Sequence, residues 1–303
     1  MQILITGGTG FIGQALLRYW SAAGHELTVL SRRPQSNRAQ CHYVQSLNDV
    51  PPGRAPQAVV NLAGASLAGK RWSARYKTEL VDSRVQGTRV LTAWMRSLPV
   101  PPAVLLSASA IGYYGARGSE ALDESSAAGS GFSSDLCSAW ESEALAAGEA
   151  GTRVCLVRLG VVLDAGGGAF TEMARPFKLG IASWPGSGHQ CLSWVHRNDV
   201  VAAMDFLLHH EALAGAVNVT APQPVTQRRF CTAMRKQFTS LPGMPVPAVV
   251  MRLMLGEMAD ELLLTGQCVH PQRLEEAGFH WQHPDIDSAL LAILAPHAGD
   301  KLP

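Results

Sequence analysis

The chain has 303 residues, of which 47% are hydrophobic and only 16% are charged, and its formal net charge is +1. This length and apolar content suit one large α/β unit, or a main domain with a smaller lobe. The small net charge argues against a nucleic-acid-binding surface. No segment has the roughly 20 uninterrupted apolar residues that a membrane-spanning helix needs, so we expect no membrane partner.

The six cysteines show neither a CxxC pair nor any metal-ligand spacing. We therefore expect no metal site, and we expect all six to be reduced thiols in a cytoplasmic protein. The apolar N-terminal stretch is too short for a signal peptide and lacks a basic leader, which favours the same location.

A short apolar strand at residues 1–6 runs directly into the sequence Gly-Gly-Thr-Gly-Phe-Ile-Gly. Gly7 permits a tight turn, Gly10 lets the backbone approach a pyrophosphate, and Gly13 lets the following helix pack against the sheet. That helix directs free amides and the positive end of its dipole toward the phosphate. The pattern predicts a dinucleotide site. Its candidate contacts are Gly7, Thr9, Gly10, Phe11, Ile12 and Gly13.

The second strand, at residues 26–30, indicates which dinucleotide binds. An NAD enzyme usually has an acidic residue at the end of this strand for the ribose 2′-hydroxyl, whereas this chain has Ser31, Arg32 and Arg33. An aspartate would repel a 2′-phosphate, but two guanidinium groups can bind one through charge-assisted hydrogen bonds. We therefore expect NADP(H) as the cofactor; a solvated basic loop is the alternative.

Strands and helices alternate along the first two thirds of the chain. Strand-like runs at 58–63, 103–109 and 153–159 alternate with helical stretches at 75–96 and 133–148. This is the pattern of an α/β fold with a doubly wound, parallel sheet of the Rossmann type.

The character of the sequence changes after residue 220, where prolines separate short segments and an apolar helix is expected at 249–264. We predict an NADP-binding domain at 1–220, which includes a substrate-side segment at about 165–198. Residues 221–303 are predicted to form a small C-terminal lobe.

These motifs resemble those of the extended short-chain dehydrogenase/reductase superfamily, which contains the nucleotide-sugar epimerases. The shared stretches are TGGTGFIG at 6–13, NLAG at 61–64 and SASAIGYYG at 107–115. The chain is more similar still to an atypical NADP-dependent "epimerase family" branch, through motifs such as LCxxWE at 136–141 and RLGVVL at 158–163.

The NLAG stretch ends a strand beside the expected cofactor. Small residues there would admit the adenosine side of NADP(H), with contacts at Leu62, Ala63 and Gly64. A tight strand-to-loop turn is the alternative.

The superfamily's chemistry normally uses an asparagine, a serine, a tyrosine and a lysine. The resemblance implies that Ser109 keeps the serine position, beside both the cofactor and the substrate oxygen. Arg84 stands at the asparagine position, Cys137 at that of tyrosine and Glu141 at that of lysine. We expect Arg84 to contact either NADP(H) or Glu141, because a guanidinium pairs with phosphate or carboxylate oxygens.

The sequence therefore leaves the identity of the proton donor undecided. The candidates are Tyr113, Tyr114 and Cys137, and a glutamate at position 141 would raise the pKa of a nearby thiol. The alternatives are aromatic packing under the nicotinamide for the tyrosines and simple packing of a small buried residue for Cys137.

A glycine-rich turn carries aromatic and amide groups that suit a small polar ligand with a flat or sugar-like face. These groups are Trp184, His189, Gln190 and Trp194. Packing between the two lobes is the alternative.

Two polar residues nearby are interpreted as structural. Asp199 is predicted to cap a helix at 200–209, and a lone histidine such as His196 is more often hydrogen-bonded within the fold than catalytic. In the same way, Ser133 or Ser134 is predicted to cap the helix at 133–148.

The sequence is interpreted as an NADP(H)-binding oxidoreductase or epimerase-like enzyme that acts on an unknown small carbonyl or sugar-like substrate. Because only one of four catalytic positions is kept, we expect it to be slow or inactive on the usual sugar-nucleotide substrates. The alternative is a non-catalytic sensor of NADP(H). A homodimer is compatible with the sequence, which does not fix the oligomeric state.

Overall fold

A seven-stranded parallel sheet lies at the centre of the structure, a computed structural model that describes residues 1–295. In chain order its strands are β1 (Gln2–Thr6), β2 (Glu26–Leu30), β3 (Cys41–Val44), β4 (Ala58–Asn61), β5 (Val104–Ala110), β6 (Arg153–Leu159) and β7 (Gly215–Val219). Their order across the sheet is β7-β6-β5-β4-β1-β2-β3. The order in which strands are added to the sheet therefore reverses between β1 and β4, which makes a crevice at the carboxyl ends of these two parallel strands.

Helices cover both faces of the sheet. They are α1 (Phe11–Ala22), α2 (Ala74–Val81), α3 (Gly87–Ser97), α4 (Phe132–Leu145), α5 (Gly168–Lys178), α6 (Arg197–His209), α7 (Gln227–Arg235), α8 (Ala248–Leu255), α9 (Glu257–Ala259), α10 (Gln272–Glu276) and α11 (Ile286–Leu294). Helices α1 and α6 contribute Leu16 and Met204 to the core on one face, and α3 contributes Leu91 to the core on the other. Because both faces are covered, the strands are nearly continuous apolar runs. The predicted doubly wound fold is confirmed.

Shorter pairs of strands surround the sheet in the described residues. They pair Ala121–Leu122 with Cys268–Val269, Val161–Leu163 with Trp194–His196, Ser183–Pro185 with Met244–Val246, and Cys191–Leu192 with Val225–Thr226. Residues 1–295 contain no helix with the length and apolarity needed to span a bilayer.

Two predicted helices are interrupted. A π-helical turn at Asp82–Gln86 separates α2 from α3 within the predicted stretch 75–96. The predicted apolar helix at 249–264 breaks at Gly256, whose φ of +65° favours glycine and ends α8. A second π-helical turn, Asp260–Leu264, follows α9.

The segment before residue 198 and the C-terminal residues share one hydrophobic cluster. It brings Phe170 and Trp194 together with Phe230, Met234 and Ile293. The predicted division at residue 220 stays a prediction.

The prediction that all six cysteines are reduced is wrong for one pair. Cys191 and Cys268 form a disulfide, with 5.3 Å between their Cα atoms and 77 residues between them in sequence. Two hydrogen bonds align the two segments that carry these cysteines, since the Ser193 hydroxyl donates to the Gln267 carbonyl and accepts from the Val269 amide. No local spacing could show this long-range pairing. The other four cysteines are free and buried.

The predicted helix caps are also wrong. The Asp199 carboxylate accepts from the backbone amides of Gln282 and His283, at 2.7 and 3.1 Å, and so holds a distant segment. Helix α6 is instead capped by His196, whose Nδ1 accepts from the Asn198 amide at 3.0 Å.

Helix α4 is capped by a residue from the far end of the chain. The Glu261 carboxylate accepts from the amides of Phe132 and Ser133, where its charge also complements the helix dipole. The Ser134 hydroxyl donates to the Tyr113 carbonyl, so neither Ser133 nor Ser134 is the cap.

The cap residue His196 makes stability depend on pH. Burial, followed by the nearby His283, lowers the pKa of His196 to about 4, against about 6.5 for an unfolded histidine. Between these values the unfolded chain binds more protons, so the contribution of His196 is complete above about pH 6.5 and is lost as the pH falls toward 4. We expect His196→Asn, which keeps a capping acceptor, to flatten this dependence by on the order of 1–3 kcal/mol. Urea unfolding at about pH 7.5 and about pH 4.5 measures the unfolding free energy of both proteins. An equal change of this free energy with pH in the native protein and the variant would contradict the role of His196.

Candidate functional site

The loop between β1 and α1 is shaped by its glycines. Gly7 has a φ of +70°, and a Cβ there would lie 2.5 Å from the Leu62 carbonyl oxygen. A Cβ on Gly13 would lie 2.4 Å from the Gly7 carbonyl oxygen, so this glycine lets α1 pack against the loop. A Cβ on Gly10 would meet only that same oxygen, at 3.1 Å. Gly10 therefore leaves the exposed side of the loop open for a ligand to approach the backbone.

The first turn of α1 lies over this loop. The Phe11 ring packs against Gly167 and Gly168, and the Arg197 guanidinium lies 4.9 Å from its centre. Ile12 is half-buried against the core on the α1 face, and Thr9 is exposed. No side chain caps the helix at Gly10, so the first amides of α1 are left for other acceptors.

A tight turn after β2 presents the two predicted arginines. The buried Ser31 hydroxyl donates to the Arg33 carbonyl at 2.8 Å and accepts from the Arg33 amide at 3.3 Å. Arg32 and Arg33 are exposed, and within residues 1–295 neither guanidinium has a hydrogen-bond or ion-pair partner. The turn thus carries two uncompensated positive charges beside the glycine loop.

The stretch after β4 lies against the glycine loop. The Asn61 side chain accepts from Thr6 at 2.7 Å and donates to Thr88 at 2.8 Å and to Ser107 at 3.3 Å, which joins the ends of β1 and β4 to the middle of β5 and to α3. The Leu62 amide donates to the Thr6 carbonyl. Beyond it, Leu62 and Ala63 are half-buried and Gly64 is exposed.

Arg84 lies behind this stretch. A Cβ on Gly64 would lie 3.0 Å from its guanidinium carbon. The guanidinium donates to the carbonyls of Ala65 and Leu80, at 2.9 and 3.3 Å, and faces the Trp140 ring. Burial lowers the pKa of Arg84. Of the two predicted alternatives, the structure does not show the contact with Glu141, which pairs with Arg158; the contact with NADP(H) stays a prediction.

The partner of Glu141 is Arg158, on β6. The guanidinium donates from Nε and Nη2 to the two carboxylate oxygens, each at 2.8 Å, and both side chains are buried. Burial alone would lower the pKa of Arg158, but its hydrogen bonds with Glu141 and the carboxylate charge outweigh burial and raise it. The Ser109 hydroxyl donates to the same carboxylate, at 2.6 Å from Oε1.

The two adjacent tyrosines have different roles around Arg158. Tyr114 is fully buried, and its hydroxyl accepts from Arg158 at 3.0 Å and donates to Asn218 at 2.7 Å. Tyr113 is half-buried, with its ring centre 3.5 Å from the Arg158 guanidinium carbon. Its hydroxyl has no hydrogen-bond partner in the described part of the chain. Tyr114 is therefore structural, whereas Tyr113 keeps a free polar group.

Cys137 is buried in α4, near these groups. Burial, and then the charge of Glu141, raise the pKa of its thiol to about 11. The predicted direction of the Glu141 effect is therefore confirmed, and the thiol is neutral at physiological pH.

Of the four residues around the glycine-rich turn, two pack within the fold and two are at least partly exposed. Trp194 is fully buried, and the Gln190 amide donates to the Pro185 and Leu263 carbonyls, so both pack within the fold. Trp184 is half-buried and His189 is exposed. A substrate contact by Trp184 or His189 stays a prediction.

Arg158 and Asn218 are site residues that were not predicted from the sequence. A signal for Arg158 is present, since a charged residue inside the apolar strand RVCLVRL requires a buried partner. Asn218 gives no comparable signal, because an amide at the end of a strand is common.

A glycine loop after β1, a crevice where the strand order reverses and a buried polar cluster at the end of β5 define a Rossmann-type protein of the short-chain dehydrogenase/reductase class. Residues 3–220 match the model of the NAD dependent epimerase/dehydratase family, and residues 246–293 match a domain of unknown function, DUF1731. The chain belongs to the NAD dependent epimerase/dehydratase family.

Similar proteins span nearly the whole chain. An epimerase family protein of Mycobacterium bovis is 39% identical over 290 residues, which cover 95% of this chain and 96% of the relative. The crystal structure of human epimerase family protein SDR39U1 with NADPH superposes with a TM-score of 0.89 and 33% identity, covering 97% of this chain and 99% of that one. A nucleoside-diphosphate sugar epimerase from Corynebacterium glutamicum is 27% identical, with a TM-score of 0.77 over 96% of this chain and 57% of its own.

The buried Glu141–Arg158 pair predicts how substitutions of these two residues change the free energy of unfolding. Arg158→Met alone leaves a buried carboxylate without its cation, which we expect to cost about 3–5 kcal/mol of unfolding free energy. The double variant Glu141→Leu with Arg158→Met removes both charges and should be less destabilised than the single variant. Urea unfolding of the three proteins measures this order. A double variant at least as unstable as Arg158→Met would contradict it.

Proposed function

We propose that the protein binds NADP(H) and catalyses reversible hydride transfer between the nicotinamide and a carbonyl or carbinol carbon of a small, sugar-like substrate. The observation that carries the proposal is that Arg32 and Arg33, at the end of β2, are exposed and unpaired within residues 1–295, beside a glycine loop with one open side. The structure of human SDR39U1 with NADPH supports the choice of cofactor.

Three parts of the cofactor have matching groups on the chain. The open side of Gly10 and the uncapped amides of α1 suit a pyrophosphate, and the two guanidinium groups suit a 2′-phosphate. The half-buried Leu62 and Ala63 suit the apolar part of the adenosine. NADPH supplies the hydride when it is bound; the chain must supply the proton.

We assign the proton transfer to Tyr113. The Ser109 hydroxyl already donates to Glu141, so it can offer a substrate only a lone pair. The Cys137 thiol is buried and holds its proton until about pH 11. Tyr113 has a free hydroxyl, and the Arg158 cation against its ring stabilises negative charge that develops on the phenol oxygen.

In this mechanism Arg158 supplies the positive charge that a lysine of α4 supplies elsewhere in the superfamily. Glu141, at the lysine position, fixes the guanidinium through two hydrogen bonds. Ser109 accepts a hydrogen bond from a substrate hydroxyl, and Tyr113 donates its proton to the carbonyl oxygen during reduction and takes it back during oxidation.

A non-catalytic sensor of NADP(H) is the second candidate. It is favoured by the commitment of the Ser109 proton to Glu141, together with a neutral thiol at the usual tyrosine position. Such a protein would bind the cofactor through the same loop and turn over no substrate.

The choice of cofactor is tested at the turn after β2. We expect Arg32→Ala with Arg33→Ala to weaken NADPH binding by roughly 10- to 100-fold for each guanidinium group that binds the 2′-phosphate, and to leave NADH binding unchanged. Arg38→Ala, another exposed arginine of the same loop, is the matched control. Calorimetry with both cofactors measures the effect. Equal affinities of the native protein for NADP(H) and NAD(H) would refute the assignment.

The chemistry is tested at Tyr113. We expect Tyr113→Phe to lower turnover by about 10²–10⁴-fold with unchanged NADPH affinity, and Cys137→Ala to change turnover little. The assay follows nicotinamide absorbance with a panel of carbonyl compounds and sugar nucleotides. Undiminished turnover by Tyr113→Phe would contradict the assignment. Tight NADPH binding without turnover of any panel member would favour the sensor.

A further inference from the structure

Two histidines and an aspartate meet at the end of the molecule opposite the dinucleotide loop. His25 lies between α1 and β2, and Asp205 and His209 lie on α6. Each offers one ligand atom, and the three atoms lie within 4.8 Å of one another. The 12-residue helix α1 separates this cluster from the glycine loop by on the order of 18 Å. The cluster has no part in the proposed function.

The fold itself brings the three side chains together. Asp205 and His209 are four residues apart, so they share one face of α6. Helix α6 packs beside α1, and α1 ends at Ala22, two residues before Gly24, whose φ of +82° turns the chain. The amide of His25 then donates to the Trp20 carbonyl at 2.9 Å. The positions are therefore set by core packing and a helix terminus rather than by chance contact of mobile side chains.

The surrounding hydrogen bonds orient these groups as metal ligands. The Trp20 indole donates to Asp205 Oδ1 at 2.7 Å and fixes the carboxylate, whose Oδ2 has only a 3.5 Å contact with the Tyr19 hydroxyl. His209 Nδ1 lies 2.9 Å from the Asp205 carbonyl oxygen. When Nδ1 carries the hydrogen and donates it, the lone pair of Nε2 is free, which is the usual arrangement of a metal-binding histidine.

His25 lies beside the Met1 ammonium. Because an ammonium can only donate, the His25 Nδ1 accepts this 3.3 Å hydrogen bond, and its lone pair is the one that a metal ion takes in place of Met1. The His25 ring is half-buried, and its centre lies 6.2 Å from the centre of the His209 ring.

We propose that His25, Asp205 and His209 bind one Zn²⁺, with water completing the coordination. Two imidazoles and one carboxylate are borderline ligands that suit zinc, whereas Mg²⁺ and Ca²⁺ prefer oxygen alone. Zinc–ligand bonds of about 2.0–2.2 Å require the ligand atoms to approach to about 3.4 Å. His209 is exposed and His25 is half-buried, so rotation of side chains supplies this movement without a change in the backbone.

A bound ion would join the β1–α1–β2 unit to α6 across the face of the sheet. Because an ion that binds the folded state shifts the folding equilibrium, Zn²⁺ raises thermal stability. It leaves NADPH affinity unchanged, since the cluster lies at the amino ends of the strands and the dinucleotide crevice lies at their carboxyl ends.

The proposal is tested with the full chain stripped of metal and titrated calorimetrically with Zn²⁺, and separately with Mg²⁺. We expect one Zn²⁺ per chain, no Mg²⁺ binding, a higher melting temperature with Zn²⁺, and the same NADPH affinity with and without the ion. His25→Gln and His209→Gln should each weaken Zn²⁺ binding by at least about tenfold and remove the thermal shift. His280→Gln, an exposed histidine outside the cluster, should bind Zn²⁺ as the native protein does.

Two results would overturn the proposal. One is an absence of stoichiometric Zn²⁺ binding by the native chain. The other is unchanged Zn²⁺ affinity in both cluster variants, which would place the ion on other groups such as the free thiols. His209 is exposed, so we expect His209→Gln to fold as the native protein does, and circular dichroism checks this.

Discussion

The buried ion pair between Glu141 and Arg158 is the interaction on which the candidate site depends. Removing two charges from water costs several kcal/mol per ion, and this cost is offset only when the remaining hydrogen-bonding positions are satisfied. Further hydrogen bonds contribute to this here: Ser109 donates to the carboxylate, and the guanidinium donates to Tyr114, which is itself bound to Asn218. The polar groups of α4, β5, β6 and β7 are therefore fixed relative to one another by the need to satisfy one pair of charges.

The same pair gives a physical meaning to the residues at the four positions named from the superfamily resemblance. That resemblance places a cation on α4, where this chain has Glu141. In the proposed mechanism Arg158, on β6, takes the place of that cation, and its guanidinium carbon lies 3.5 Å from the centre of the Tyr113 ring. A lysine at position 141 would place two like charges together, whereas a glutamate holds the guanidinium in place. The replacement of lysine by glutamate and the buried arginine therefore belong to one arrangement.

The sequence was sufficient wherever a signal is local. The glycine loop, the strands at residues 26–30 and 153–159, and the alternation of strands and helices follow from turn chemistry and apolar runs, and the structure confirms them. Several of the failures involve partners that are distant in sequence. Cys191 pairs with Cys268, Asp199 binds the amides of residues 282 and 283, and Glu261 caps α4. Each of these contacts is decided by tertiary packing, which no spacing along the chain reveals.

Those distant contacts also show how the C-terminal residues take part in the site. Glu261 holds the first amides of α4, and α4 carries both Cys137 and Glu141. The Gln267 side chain donates to the Gly115 carbonyl, just beyond the two tyrosines, and the His270 carbonyl accepts from the Asn218 amide that supports Tyr114. The segment at 261–270 thus contacts the first turn of α4, the loop after Tyr113 and the support of Tyr114. Because Gly115 follows Tyr114 in the chain and Asn218 accepts from the Tyr114 hydroxyl, this segment supports the tyrosine that lies next to Tyr113.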